Sequence, residues 1–317
     1  MSLAFVFPGQ GSQSVGMGKE LADQFPEARG VFAEVDDALG QKLSDIMWNG
    51  PAEDLTLTSN AQPALMACSV AVMRVLESEF DIGVSAAKYV AGHSLGEYSA
   101  LCASGAISLA DTARLLRLRG NAMQDAVPVG AGAMAALLGA SVADAEAAVK
   151  AGSAYGICQI ANDNATGQIV LSGEKAAVEA ACAAATDIGI KKAMMLQVSA
   201  PFHCDMMAPA GEAMAAALLE ADIEAPIVPL INNVTARAVT NPDDIRRDLV
   251  AQVTGRVRWR ESVEWMAGEG GVETFAEIGT GKVLTVMLKR IVKDVTGTAV
   301  NSADAIEAFA ETLRGGG

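Results

Sequence analysis

Residues 88–97, KYVAGHSLGE, indicate the fold class, because they join a short buried strand to a helix through a serine with a glycine two residues away on each side. Residues 88–91 are β-prone, residues 92–96 match G-x-S-x-G, and a helix is predicted to start near Glu97. The glycines permit a sharp turn that projects the serine hydroxyl toward N–H groups at the helix amino terminus. We therefore predict Ser94 as a nucleophile; the alternative is a tight structural turn with an incidental serine.

Outward from this turn, strands alternate with helices, which is typical of an α/β domain with a largely parallel sheet. The first predicted strand enters a glycine-rich loop, Pro8-Gly9-Gln10-Gly11-Ser12. The predicted elements of this domain are strands 3–7, 88–91, 227–232 and 274–278 and helices 61–79 and 302–314. The sequence thus favours a large α/β-hydrolase-like domain.

A different order of elements occupies the middle of the chain. Strand 133–138, helix 142–150, strand 157–161, turn 162–167, strand 168–172, helix 174–188 and strand 192–198 give the βαββαβ order of a ferredoxin-like fold. We predict that this small domain, residues 128–198, is inserted into a large catalytic domain formed by residues 1–127 and 199–317.

Composition excludes several classes of protein. The chain has 317 residues, is 51% hydrophobic, has a mean hydropathy of +0.29 and carries a net charge of −15, which argues against global disorder and against nucleic-acid binding. The uncharged run 126–143 contains Pro128, Gly130 and Gly132, so it predicts a loop, a strand and a turn, not a membrane span. The amino terminus lacks the pattern of a signal peptide, and we expect a cytoplasmic protein.

The five cysteines and two histidines restrict the chemistry further. The cysteines are scattered without a Cys-x-x-Cys pair, so we predict neither a disulfide framework nor a zinc site. A serine nucleophile needs a general base, and His203 is the better candidate because His93 adjoins the serine and supports the turn. A third group that orients His203 is left open among Asn232, Asn233 and a backbone carbonyl.

Two further features could bind a substrate. Arg114, Arg117 and Arg119 lie on one predicted helix, and an arginine that points inward would pair with a carboxylate on an acyl group; the sequence does not decide which one does so. The loop around Gln10 fits neither a dinucleotide fingerprint nor a P-loop. It is better interpreted as a loop whose backbone donates an N–H to an oxyanion, with a plain turn as the alternative.

Together these residues resemble the malonyl-coenzyme A:acyl carrier protein transacylases over essentially the whole chain. The resemblance is carried, in order, by FPGQGSQ (7–13), NAQPA (60–64), GHSLGEY (92–98), Arg119-Gly120, Pro201-Phe202-His203 and Gln252. It implies that Ser94 takes the malonyl group, that His203 acts as base and acid, and that Arg119 holds the malonyl carboxylate.

The resemblance also assigns the supporting groups. Backbone N–H groups of Gln10 and Leu95 would form the oxyanion hole, and the main-chain carbonyl of Gln252 would orient His203. Phe202 and Leu95 fit a malonyl user, although many stand-alone relatives have Ser where Phe202 stands. No metal or redox cofactor is implied.

We therefore expect an acyltransferase that moves malonyl from malonyl-CoA to the phosphopantetheine thiol of acyl carrier protein for fatty-acid synthesis, as a monomer. Residues 246–293 hold nine basic and six acidic side chains, and the basic patch around Arg256 to Arg260 and Lys282 to Arg290 would meet the CoA phosphates and the acidic carrier. The competing hypotheses are a thioester hydrolase, which has little use for Arg119, and a non-catalytic subunit that binds the carrier.

Overall fold

The computed structural model describes residues 2–315, which form two sheets and the helices packed on them. The strands are β1 (Leu3–Phe7), β2 (Tyr89–Gly92), β3 (Gly132–Leu138), β4 (Cys158–Ala165), β5 (Gln168–Glu174), β6 (Lys192–Met195), β7 (Leu230–Ile231), β8 (Ala238–Val239), β9 (Thr274–Ile278) and β10 (Thr296–Val300). The helices are α1 (Lys19–Gln24), α2 (Pro26–Leu39), α3 (Leu43–Asn49), α4 (Ala52–Thr56), α5 (Thr58–Phe80), α6 (Gly96–Ala103), α7 (Leu109–Asp125), α8 (Val142–Gly152), α9 (Lys175–Ile188), α10 (Ala208–Glu220), α11 (Pro242–Thr254), α12 (Trp259–Ala267), α13 (Val283–Ile291) and α14 (Ala303–Gly315). None of these helices is long and apolar enough to cross a membrane.

The larger sheet has the order β10-β9-β1-β2-β7-β8, and all its neighbours are parallel except β7 and β8. Strand β1 lies in its interior and is fully buried. Phe5 and Phe7 face one hydrophobic core, whereas Ala4 and Val6 face a second core on the other side. Helices therefore cover both faces of this sheet, which explains why the strand is apolar at every position.

The smaller sheet has the order β4-β5-β3-β6 and is antiparallel throughout. Helices α8 and α9 cover one face, where Leu137, Leu171 and Val178 belong to a separate core. This is the strand order of a ferredoxin-like fold, so the predicted combination of a large α/β domain and a small domain is confirmed. The exact domain limits at residues 127, 128, 198 and 199 stay a prediction.

The predicted turn over residues 162–167 is wrong for most of its length. Strand β4 continues to Ala165 and passes through two irregularities in its pairing with β5. The backbone of Asp163 donates to Val257 of the large domain, and the Asp163 carboxylate accepts hydrogen bonds from Arg260. Residues far away in the chain thus form hydrogen bonds with a polar segment whose local composition favours a turn.

Other strands differ from the prediction as well, and β8 is among those that were not predicted. The strand predicted over 227–232 is reduced to β7, and the one predicted over 192–198 ends at Met195. Beyond Met195 the N–H of Leu196 still bonds to Met134, after which residues 197–199 leave the sheet and line a cavity. Strand β10 was not predicted; it is a partly buried edge strand with a weak apolar pattern.

Candidate active site

The site is built on the turn between β2 and α6. Ser94 has a φ of 52°, a left-handed conformation that is rare for a residue with a side chain. A Cβ atom on Gly92 would lie 1.9 Å from the backbone of Gly96, and one on Gly96 would lie 2.3 Å from the carbonyl oxygen of Phe7. Both positions therefore require glycine, and the turn holds the serine in a strained conformation at the carboxyl end of the sheet.

His203 lies beside the serine. Its Nε2 is 2.7 Å from Ser94 Oγ, and its Nδ1 is 2.8 Å from the main-chain oxygen of Gln252. A carbonyl oxygen can only accept a hydrogen bond, so Nδ1 carries the proton and Nε2 is free to accept the serine proton. Of the three groups left open by the sequence, the backbone carbonyl is the one that contacts His203. Asn232 instead bonds to Asp248.

The surroundings keep His203 neutral. Burial and the nearby positive charge of Arg119 lower the pKa of His203 to about 3, although the carbonyl of Gln252 acts in the opposite direction. The imidazole is therefore available as a base across the physiological pH range.

Arg119 is the inward-pointing arginine of α7. It is buried, and its Nη2 donates to Ser94 Oγ at 3.1 Å and to Gln252 Oε1 at 2.8 Å, while Nη1 donates to Gln62 Oε1 at 2.8 Å. Among the residues described, no carboxylate forms an ion pair with this guanidinium. A buried arginine held by two amides and a hydroxyl is prepared to receive an anionic group.

The other two arginines of α7 have different partners. Arg114 forms an exposed ion pair with Asp111, and Arg117 donates to Asn60 Oδ1. Arg114 is thus a solvated charge, whereas Arg117 fixes the start of α5. The helical spacing alone did not separate these roles.

The two residues predicted to donate to an oxyanion line the same cavity as the serine. Gln10 follows β1, and Leu95 follows Ser94 in the turn; both residues line the cavity. Within residues 2–315, neither N–H donates a hydrogen bond to another backbone group. They are therefore available to an oxyanion that forms next to Ser94, which is the role that the sequence predicted for them.

A second layer of polar residues lies under the turn; Asn233 was predicted only as a candidate to orient His203, and no role was predicted for Glu97. Asn233 accepts from the Ser94 N–H at 2.7 Å and donates to the carbonyl oxygen of Gly92 at 2.7 Å, so it fixes the strained turn. Glu97 is buried beneath it and accepts from Gln252 Nε2 at 2.8 Å. A carboxylate in the first turn of an otherwise uncharged helix, three residues after the nucleophile, was the signal available in the sequence.

The small domain supplies one wall of the cavity. The cavity has a volume of about 330 Å³, and its lining includes Met123 and Phe202 from the large domain with Met134, Asn162 and Val170 from the small domain. His93 also lines it and contacts the small domain through Asn164 Oδ1, at 2.8 Å from its Nε2. The cavity thus combines apolar side chains with polar ones, Ser94 and Arg119 among them, as is typical of a pocket for a small ligand. Within residues 2–315, no group of three His, Cys, Asp or Glu side chains is arranged to hold a metal ion.

Comparison with known proteins agrees with this geometry. Residues 4–308 match the model of the acyl transferase domain. The malonyl CoA-acyl carrier protein transacylase of Escherichia coli K12 is 46% identical over 308 residues, which cover 97% of this chain and 98% of that protein. The acyl-carrier-protein-S-malonyltransferase of Bartonella henselae is 57% identical, with a TM-score of 0.96 over 99% of this chain and 100% of that one. A malonyl-transacylase solved in complex with a type II PKS acyl-carrier protein is 41% identical, with a TM-score of 0.95 over 98% of this chain and 100% of that one.

Proposed function

The chain belongs to the acyl transferase family and, within it, to the malonyl CoA-acyl carrier protein transacylases, and we propose how its residues transfer the malonyl group. The protein moves the malonyl group of malonyl-CoA to the phosphopantetheine thiol of acyl carrier protein and so supplies fatty-acid synthesis. The observation that carries this proposal is the position of Ser94 Oγ, 2.7 Å from His203 Nε2 and 3.1 Å from Arg119 Nη2.

In the first half-reaction Ser94 Oγ attacks the thioester carbonyl of malonyl-CoA while His203 Nε2 takes the hydroxyl proton. The N–H groups of Gln10 and Leu95 donate to the oxyanion of the tetrahedral intermediate. The C–S bond then breaks, His203 returns the proton to the departing sulfur, and coenzyme A leaves as a thiol. The malonyl group remains as an ester on Ser94.

The second half-reaction reverses these roles. The thiol of the carrier's phosphopantetheine gives its proton to His203, and its sulfur attacks the ester carbonyl. When the C–O bond to Ser94 breaks, His203 returns the proton to Oγ. Atoms and electrons balance without a cofactor, because neither half-reaction changes an oxidation state.

Arg119 selects the acyl group. The malonyl carboxylate is attached two bonds from the carbonyl carbon, so an acyl group on Ser94 Oγ brings it close to the guanidinium that already contacts this oxygen. The carboxylate gives the buried cation an ionic partner, and such charge-assisted bonds are stronger than neutral ones. An acetyl group offers no such partner.

Helix α13 connects the cavity to a basic surface. Its residues Val283, Leu284 and Met287 line the cavity, whereas Lys289 and Arg290 are exposed on the same helix. The predicted basic patch is smaller than the sequence suggested, because Arg258 pairs with Glu261 and Arg260 pairs with Asp163 and Glu264. We propose that Lys282, Lys289 and Arg290 meet the CoA phosphates and the acidic carrier.

One copy of the chain is sufficient for this chemistry. The nucleophile, the base, the carboxylate clamp and both oxyanion donors come from the same chain, which supports a working monomer. All five cysteines are free thiols, which suits the reducing conditions of the cytoplasm.

The direct test is intact-protein mass spectrometry after brief mixing with malonyl-CoA, methylmalonyl-CoA or acetyl-CoA. We expect a malonyl adduct on the wild type that is absent from Ser94→Ala and that passes to added carrier protein. Arg119→Ala should acylate with malonyl no faster than with acetyl.

Each competing hypothesis predicts a different result. A thioester hydrolase would discharge its adduct to water and not to the carrier, and its acyl preference would survive Arg119→Ala. A subunit that only binds the carrier would give no adduct with any donor. Either result would overturn the proposal.

A further inference from the structure

The strongest unexplained feature of the site is the buried carboxyl group of Glu97. It lies in the first turn of α6, is 1% exposed, and its Oε2 accepts from the N–H of Asn233 at 3.0 Å and from Gln252 Nε2 at 2.8 Å. Burial raises the pKa of Glu97 to about 7. Burying a carboxyl group is costly, and this one touches none of the reacting atoms.

Gln252 links this carboxyl group to the substrate-binding arginine. Its side-chain Oε1 accepts from Arg119 Nη2 at 2.8 Å, and its Nε2 donates to Glu97 and, at 3.1 Å, to the main-chain oxygen of Ser94. Arginine can only donate, and a backbone oxygen can only accept. The amide therefore has one orientation that satisfies all its neighbours, and Glu97 supplies an acceptor that fixes it.

The opposite orientation of this amide would damage the clamp. It would turn the NH₂ group of Gln252 toward the Arg119 guanidinium, so that two donors would face each other and Nη2 would lose an acceptor. The bond from His203 Nδ1 to Gln252 uses the main-chain oxygen, so it does not depend on the amide. The side chain of Gln252 thus binds Arg119, and its main-chain oxygen binds His203.

We propose that Glu97 is a positioning residue that orients the Gln252 amide and thereby holds Arg119 ready for the carboxylate of the acyl donor. This inference rests on the proposed function, since it assigns Arg119 to that carboxylate. Glu97 thereby strengthens the preference of Arg119 for acyl groups that carry a carboxylate, without touching the substrate.

The test compares two substitutions at position 97. Glu97→Met keeps the length of the side chain but removes the acceptor, whereas Glu97→Gln keeps a carbonyl oxygen that can occupy the Oε2 position. Rates of Ser94 acylation are measured in single turnovers with malonyl-CoA and acetyl-CoA over a range of concentrations. We expect Glu97→Met to lower the ratio of malonyl to acetyl kcat/KM by about tenfold, because a hydrogen bond to a charged group is lost, and Glu97→Gln to change it by less than about threefold.

A double-mutant cycle separates positioning from general damage to the turn. In an Arg119→Ala background, Glu97→Met should leave the malonyl-to-acetyl ratio where Arg119→Ala alone puts it. Equal losses for malonyl and acetyl in Glu97→Met would show a merely structural role and overturn the inference. A loss of preference in Glu97→Gln as large as in Glu97→Met would also overturn it, because the acceptor would then not be the cause.

Gln252→Met tests the same link if Glu97→Met does not fold. It removes the amide but keeps the main-chain oxygen that holds His203, and it should reproduce the loss of malonyl preference; an unchanged preference would refute the link. The inference can fail while the proposed function stands, because the wild type would still form a malonyl adduct and pass it to the carrier.

Discussion

At the scale of single residues, two residues with left-handed backbone conformations contact each other at the reacting centre. Ser94 has a φ of 52° and His203 a φ of 58°, and such angles are uncommon for residues other than glycine. Asn233 bonds to the backbone of the serine, and the Gln252 oxygen bonds to the histidine ring. The surrounding structure therefore maintains strained conformations that place Oγ and Nε2 in hydrogen-bonding distance.

The low pKa of His203 leads to a prediction about pH. Because burial and Arg119 lower this pKa to about 3, the imidazole stays in its basic form well below the pKa of an ordinary histidine. We expect the rate of Ser94 acylation by malonyl-CoA, followed in rapid-quench single turnovers, to show no loss due to His203 between about pH 7.5 and about pH 5.

The Glu97→Gln variant is the control in this experiment, because the pKa of Glu97, about 7, lies within the pH range that is scanned. A change near pH 7 that disappears in Glu97→Gln belongs to Glu97. A loss of rate with a midpoint near 6.5 that persists in Glu97→Gln would contradict the prediction, since it would show an ordinary histidine.

At the scale of elements, the connection from β2 to α6 is set by close backbone contacts. The helix begins so near the strand that β1 passes within contact distance of Gly96, and there is no space for a side chain at Gly92. Because Gly92 and Gly96 pack against backbone, the neighbours cannot yield by rotating a side chain.

We predict that Gly92→Ala prevents accumulation of folded protein or lowers the free energy of unfolding by more than about 4 kcal/mol, because the new methyl group would overlap the backbone of Gly96. Urea unfolding and soluble yield measure the effect. Gly30→Ala is the matched control. Gly30 lies in α2 with open space where a Cβ would stand, so alanine there should raise the free energy of unfolding by about 0.5 to 1 kcal/mol. A soluble Gly92→Ala of wild-type stability would show that the turn can relax.

At the scale of the whole molecule, the small domain is attached to the large one through the edge strand β4. Asn162 forms an isolated parallel bridge with Val257, and the buried carboxylate of Asp163 receives three hydrogen bonds from Arg260. The neighbouring Asn162 and Asn164 line the cavity. The contact between domains therefore also shapes the site.

Removing one partner of this ion pair should be costly. In Arg260→Met the Asp163 carboxylate, 1% exposed, would remain buried without its cation, and we predict a loss of about 3 kcal/mol in the free energy of unfolding. Arg258→Met is the control, because the Arg258–Glu261 pair is partly exposed; its loss should stay under about 1 kcal/mol. Denaturant titrations of both variants give the comparison, and equal losses would contradict this account of the interface.

The charge of the whole molecule makes the basic surface of α13 important. With a net charge of −15, the protein repels an acidic carrier except where cations are exposed. We predict that Lys289→Glu raises the KM for the carrier by about tenfold at low salt and that the effect shrinks as salt is added.

Lys175→Glu is the matched control for this charge reversal. Lys175 begins α9, which packs on the face of the small sheet opposite to the cavity. The reversal there should leave the KM for the carrier nearly unchanged. Equal effects of the two reversals would show that only net charge matters and not a docking surface.

The sequence alone determined the features that depend on neighbouring residues. The glycines around Ser94 predicted the strand, the turn and the helix, because a backbone this compact tolerates few other residues. The order of the predicted strands and helices between residues 133 and 198 indicated the βαββαβ small domain, and short motifs along the chain indicated the family. These signals depend on residues that are close in the chain, so they can be detected without knowing which distant segments contact one another.

The contacts between residues from distant parts of the chain became known only from the tertiary structure. It showed the contact of Arg119 with Ser94 that the resemblance had only implied, it placed Glu97 and Asn233 beneath the nucleophile, and it joined Asn162 to Val257 in a bridge between the two domains. It also reduced the basic patch by pairing Arg260 with a carboxylate 97 residues away. Each of these contacts joins residues far apart in the chain, and the free energy that selects them comes from burial and long-range hydrogen bonds, which no local pattern records.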